Sequence, residues 1–206
     1  MAYPPTVMVA LVVGFVACAS PQESAAQAPK SVPTTQNPPR ANTVNAYGAA
    51  TKAFLDRVQE YMIFHNNVEK MVPPLTEGSH PEEITKRGMA LGAMLVKQRP
   101  EAREGDFFIE EYRAYLIKII QEDFAKRPMA DRKALLVDMP KDVKIGVNMV
   151  YPPVLPLATF PANLLKALPE LPKVLEYRIV GQHLILRDVT GNIIIDVLRN
   201  VIPIPK

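Results

Sequence analysis

Between residues 47 and 72 the apolar side chains of this chain recur every three or four positions, with a gap near Thr51, and in stretches between 143 and 197 they alternate. A hydrophobic period that changes once from 3.6 to 2 predicts helices in the first half and strands in the second. Tyr47, Phe54, Val58, Tyr61, His65, Val68 and Val72 form the stripe of a helix from Ala46 to about Val72, widened by Leu55 and Met62. Pro73-Pro74 stops it. A second helix opens at Ser79-His80-Pro81-Glu82, with Ser79 as cap and Glu82 three residues on. Ile84, Gly88, Leu91 and Leu95 mark its inner face and Arg99-Pro100 its end. Gly88 and Gly92 lie one turn apart, and each costs about 1 kcal/mol against Ala in a helix. Their presence predicts close approach of another helix. A third helix, capped by Asp106, runs from about Phe108 to Ala125 on Phe108, Tyr112, Tyr115, Leu116, Ile119 and Ile120.

Val143, Ile145, Val147, Met149 and Tyr151 alternate with other residues and predict a half-buried strand ended by Pro152-Pro153. Short helical pieces are expected near 131–137 and 161–168. Gly181-Gln182 then sits between two strong strand formers, as in a two-residue hairpin. That register pairs Glu176 with Arg187, Arg178 with Ile185 and Val180 with His183. A third strand spans about Asn192 to Leu198. A two-residue turn at Thr190-Gly191 would turn Ile193, Ile195 and Val197 to the core. A bulged turn over Asp188–Asn192 would turn Ile194 and Asp196 there instead. The expected fold is α+β. About three N-terminal helices pack on a C-terminal antiparallel sheet of three to four strands, in one domain over 46–206 (46–125 helical, 143–198 mainly strands).

Ahead of the domain, Val7 to Ala17 is an uncharged apolar run of signal-peptide length, too short to span a bilayer. It ends in Phe15-Val16-Ala17-Cys18, which resembles the bacterial lipoprotein box. There the single cysteine is diacylated and becomes the new N-terminus. Leucine is usual where Phe15 stands, and residues 1–6 lack Lys and Arg. Ala17-Cys18-Ala19 also suits the ordinary signal peptidase, which would leave a mature chain starting at Ser20. Residues 19–45 hold five prolines and only Glu23, Lys30 and Arg40 as charges. They read as a disordered tether with a reach of roughly 25–30 Å. Residues 1–18 are thus read as leader and Cys18 as the lipidation site. Ala19, where inner-membrane lipoproteins of enteric type carry Asp, suits the periplasmic face of the outer membrane.

The sheet's polar face would carry Glu176, Arg178, Arg187 and His183. A Glu between two Arg can grip an anion or a carboxylate. The plainer reading is a solvated cross-strand ladder worth a few tenths of a kcal/mol per pair. His65 and Glu69, one helical turn apart, could share a metal ion with His80. A histidine satisfied beside the core explains His65 with less, and no metal ligand set is assigned. Asp188-Val189-Thr190-Gly191 superficially resembles the Asp-Thr-Gly of aspartic proteases, but Val189 interrupts it and a turn explains it better. No catalytic residue and no cofactor motif is found. Lys and Arg number 24 against 21 Asp and Glu, scattered along the chain, so no basic stripe marks a nucleic-acid reader.

From Phe54 to Pro203 the pattern of a helical front, a strand and "LP…LP…EYRIVG…LILRDV…IIIDVL" resembles a group of uncharacterised exported bacterial proteins. The last 35 residues are also similar to the C-terminal hairpin of periplasmic modules of the nickel/cobalt-homeostasis type. That likeness implies a periplasmic setting more than metal handling. The expected function is a non-enzymatic binding or structural module of the cell envelope, held at a membrane by its lipid. Alternatives are a small-molecule or anion binder, or an enzyme, using a pocket near the sheet, and a weak metal binder.

Overall fold

The structure is a computed structural model that describes residues 41–134, 143–155 and 160–204. Five helices, α1 (Ala41–Glu69), α2 (Pro81–Gln98), α3 (Glu110–Lys126), α4 (Met129–Ala134) and α5 (Ala162–Ala167), precede three strands, β1 (Leu175–Val180), β2 (His183–Asp188) and β3 (Ile193–Leu198). The strands form one antiparallel sheet in the order β1-β2-β3. The class is α+β. Cys18, the leader and the tether as far as residue 40 lie outside the described residues. No described helix is long and apolar enough to cross a membrane.

α1 buries Ala50, Phe54, Val58, Tyr61, His65 and Val68 along one stripe and packs on α2 and α3. It begins at Ala41, directly after Pro38-Pro39-Arg40, so the helix also takes in residues 41–45. α2 starts one residue later than its sequence suggests. His80 is the N-cap, and its backbone N–H donates to Glu83 at 3.0 Å. Ser79 instead accepts from the Thr76 N–H in the preceding turn. α3 likewise starts after Ile109, because Asp106 closes its own turn with the Arg103 N–H at 3.0 Å.

Gly88 and Gly92 do not face another helix. They carry α2 onto the β2–β3 turn, where a Cβ on Gly92 would stand 2.2 Å from the Gly191 carbonyl oxygen. Only an absent side chain lets a helix backbone come this near a turn.

The hairpin has the expected register, with Glu176 opposite Arg187, Arg178 opposite Ile185 and Val180 opposite His183. Gly181 alone of its two loop residues has positive φ (56°), as a type II′ turn requires. In β3 both parity readings hold, each for half the strand. Arg187 faces Ile194 and Leu186 faces Asp196, so Ile195 is the extra residue of a bulge. Ile193 and Ile195 join the helix-side core, and so does Leu198 beyond the bulge. Ile194 and Val197 pack on the opposite face with Ile145, Tyr151 and Leu155.

Residues 143–151 therefore form a cover, not a ladder strand. Asn148 takes positive φ (62°) and a turn closes from Gly146 to Met149, which breaks the alternation. What remains is three backbone bonds to the outer edge of β3: Asn148 N to Ile194 O, Ile194 N to Met149 O and Tyr151 N to Asn192 O, at 2.8–2.9 Å. The sheet is thus covered on two faces and protected along its β3 edge.

Candidate functional site

β1 is the other edge of the sheet. A two-residue hairpin bonds its flanking pair, Val180–His183, on the β2 side, and the bonding alternates from there. Arg178 and Glu176 then also bond β2, and the backbone of Tyr177 and Ile179 points outward. No turn or loop carbonyl among the described residues accepts the N–H of Tyr177 or Ile179, whereas Leu175 N donates to Pro172 O at 2.8 Å. Beside this edge lies a groove of 780 Å³. Phe160 before α5, Leu165 within it and Leu168 and Leu171 at its exit wall one side, and residues 175–178 wall it from β1. Consecutive strand residues point to opposite faces. A groove that meets Leu175, Glu176, Tyr177 and Arg178 together runs along the edge of the strand. Tyr177 braces the wall by donating its hydroxyl to Pro169 O at 3.4 Å. Lys166 sits exposed at the rim, with no ion pair among the described residues.

The groove's far lip leads to the residues that the hairpin register singled out. Glu176 accepts two bonds from Arg178, at 2.7 Å each, and one from Arg187 at 2.6 Å. Arg187 also donates to Asn192 Oδ1 at 2.6 and 3.2 Å, and its guanidinium lies 4.7 Å from the centre of the Tyr151 ring. Side-chain exposure is 24% for Glu176, 17% for Arg178 and 11% for Arg187. The trio is half-buried under the 143–155 cover. Burial alone would raise the Glu176 carboxyl, but hydrogen bonds from Arg178 and Arg187 outweigh it and hold the group below its ordinary value. The carboxylate in turn raises Arg178. His183 belongs elsewhere: its Nδ1 accepts the Asn200 N–H at 3.0 Å, and burial lowers its pKa.

Charges this enclosed are worth more than a solvated ladder and less than a dry ion pair. Glu176→Ala is expected to destabilise the protein by about 2–3 kcal/mol, since it strips both arginines of their acceptor. Because the folded carboxyl titrates below its ordinary value, its contribution is complete above the ordinary carboxylate range. It is lost as pH falls through the depressed value. Glu176→Gln should therefore flatten the acid limb of a stability-against-pH curve and leave the neutral-to-alkaline slope unchanged. A loss below about 1 kcal/mol in denaturant titrations would return the trio to a solvated ladder.

A second cluster, at the β2–β3 turn, is built on Asp188-Val189-Thr190-Gly191. Asp188 Oδ2 accepts from the Tyr61 hydroxyl at 2.8 Å and lies 3.3 Å from His65 Nε2. Its Oδ1 accepts from Thr190 Oγ1 at 2.9 Å and from Gly191 N at 2.7 Å. His65 Nε2 is also 2.9 Å from Thr190 Oγ1. A hydroxyl beside an imidazole is the arrangement of an activated nucleophile. Here the imidazole and the carboxylate are wholly buried, and the hydroxyl already donates to Asp188. The cluster fastens α1 to the turn. Burial first, then the Asp188 charge, raises the Tyr61 pKa and keeps its proton in place.

His65 and Glu69 stand 4.0 Å apart, but Arg87 holds Glu69 at 3.0 Å and His80 caps α2. Among the described residues no three His, Cys, Asp or Glu side chains gather as a metal site.

A third buried carboxylate, Asp196, gathers backbone. It accepts from Gly105 N and Val197 N on Oδ1 and from Phe107 N and Phe108 N on Oδ2, at 2.7–2.9 Å. Burial lifts its pKa against the pull of those four donors. One signal in the sequence pointed to it: Asp196 is the only polar residue in Ile193–Leu198. No protein-family model matches the chain, and neither a curated protein nor a solved structure matches it.

Proposed function

We propose that this chain is an exported, non-enzymatic binding module of the bacterial cell envelope, held at a membrane by a lipid on Cys18, and that the groove along β1 is its binding surface. The observation that carries the reading is the groove itself: an apolar-walled trough whose floor is an edge strand with outward-pointing N–H and C=O groups. Such an edge recognises another extended chain by backbone hydrogen bonds, with wall pockets selecting side chains. The Phe15-Val16-Ala17-Cys18 box and the proline-rich tether support the membrane attachment, and Ala19 supports the outer membrane. The resemblance to exported bacterial proteins points the same way. By contrast, the buried titratable groups Tyr61, His65, Asp188 and Asp196 are occupied in holding helices and loops to the sheet.

Lys166 favours one second reading, an amphiphile whose anionic head meets that unpaired amine while its tail lies on Leu165, Leu168 and Leu171.

The tests are direct. Mass spectrometry of the membrane fraction should find acylated Cys18, and Cys18→Ser should release the protein from that fraction. A photo-crosslinker in place of Lys166, in the full chain on membranes, should trap a polypeptide, and Leu165→Asp should abolish the adduct. A mature chain beginning at Ser20 would end the anchored reading. A crosslink to lipid alone would exchange the polypeptide ligand for the amphiphile.

A further inference from the structure

We infer that the strand which completes β1 is β1 of a second copy of this chain, added antiparallel about a two-fold axis through Tyr177 to give a six-stranded sheet. This rests on the reading of the β1 groove as the binding surface and names its occupant.

The sequence Leu175-Glu176-Tyr177-Arg178-Ile179 is complementary to itself when reversed. With the axis at Tyr177, Glu176 lies opposite the partner's Arg178, and Arg178 lies opposite the partner's Glu176. Leu175 lies opposite the partner's Ile179. Both charged pairs are attractive, which stabilises directly opposed residues of antiparallel strands. Other registers lack this. An axis through Glu176 opposes two carboxylates, and one through Arg178 opposes two guanidinium groups.

The backbone tally agrees with the same axis. Tyr177 would exchange N–H and C=O with the partner's Tyr177. Ile179 N–H would reach the C=O of the partner's Leu175. Leu175 N–H needs nothing, because it already donates to Pro172 O at 2.8 Å. Every outward N–H of the strand thereby gains an acceptor, and no donor is left over. The groove supplies the room, and exposed Leu165 offers apolar surface at its lip. An isologous contact of this kind closes at two subunits and leaves no further edge. A six-residue edge makes a small interface, so the dimer is concentration-dependent. A tether that confines both copies to one membrane face raises their effective concentration.

The experiment is analytical ultracentrifugation of the full chain in detergent, together with amide exchange by NMR over a range of protein concentrations. Dimers are expected, with the Tyr177 and Ile179 amides protected at high concentration and exposed at low. Ile179→Pro removes an N–H that the β2 ladder does not use, and should give a monomer with an unchanged circular dichroism spectrum. If that variant fails to fold, the exchange pattern of the wild-type protein decides alone. A wild-type chain that stays monomeric, or protection at Tyr177 and Ile179 that ignores concentration, overturns the dimer. In that event a Lys166-position crosslink to a different polypeptide leaves the binding-module reading standing, and no crosslink removes both.

Discussion

Asp196→Ala is expected to destabilise the protein by about 4 kcal/mol or more. Its carboxylate accepts four backbone N–H groups, those of Gly105, Phe107, Phe108 and Val197. Each buried donor left without an acceptor costs about 1–3 kcal/mol. Water reaches the half-buried Gly105 N–H most easily, so three donors carry most of the loss. Against a total stability of about 5–15 kcal/mol, such a change leaves a marginal fold. Asp196→Asn keeps one acceptor oxygen but turns an amide group toward backbone donors, and should fall between the two. Urea titration of the three proteins should rank wild type, Asn, Ala. An alanine variant within about 1 kcal/mol of wild type would show that the 105–108 loop finds other acceptors.

Gly92→Ala should do comparable damage although alanine is the better helix former by about 1 kcal/mol. The added Cβ would stand 2.2 Å from the Gly191 carbonyl oxygen and 3.2 Å from the Gly191 carbonyl carbon. Backbone cannot swing aside as a flexible side chain does, so α2 must lift from the turn, at an expected net loss of about 3 kcal/mol. Gly88→Ala is the internal control. Its Cβ would meet Thr190 O at 3.1 Å, a contact that a small shift relieves. There the gain in helix propensity roughly offsets the crowding. Thermal melts should separate the two variants clearly. Equal midpoints would contradict the packing of α2 on the β2–β3 turn.

The parts of this fold readable in the sequence are those set by neighbours in the chain. Gly181-Gln182 fixes the hairpin register, and with it the meeting of Glu176, Arg178 and Arg187. The 3.6-residue stripe of α1 fixes which side is buried. What escaped depends on contacts far along the chain. The bulge at Ile195 brings Asp196 to the helix side, where its partners lie 88–91 residues earlier. The alternation of residues 143–151 is genuine, yet Asn148 breaks the strand and turns the segment into a cover. That cover is why the Glu176 trio is half-buried, which no property of β1 itself announces. His65 was legible as a core histidine, but its partner Thr190 lies 125 positions away.

The Asp188 turn has a consequence for the order in which the molecule can be made. Tyr61 and His65, on the first helix, hydrogen-bond to residues 188 and 190, and α2 seats its glycine face on residues 190 and 191. A nascent chain therefore carries its helical half without the groups that lock it until residues 188–191 have been synthesised. Contacts of such long range form late and slowly. For a polypeptide threaded across a membrane before it folds, as in the export proposed above, such a delay would keep the chain translocatable until the β2–β3 turn arrives.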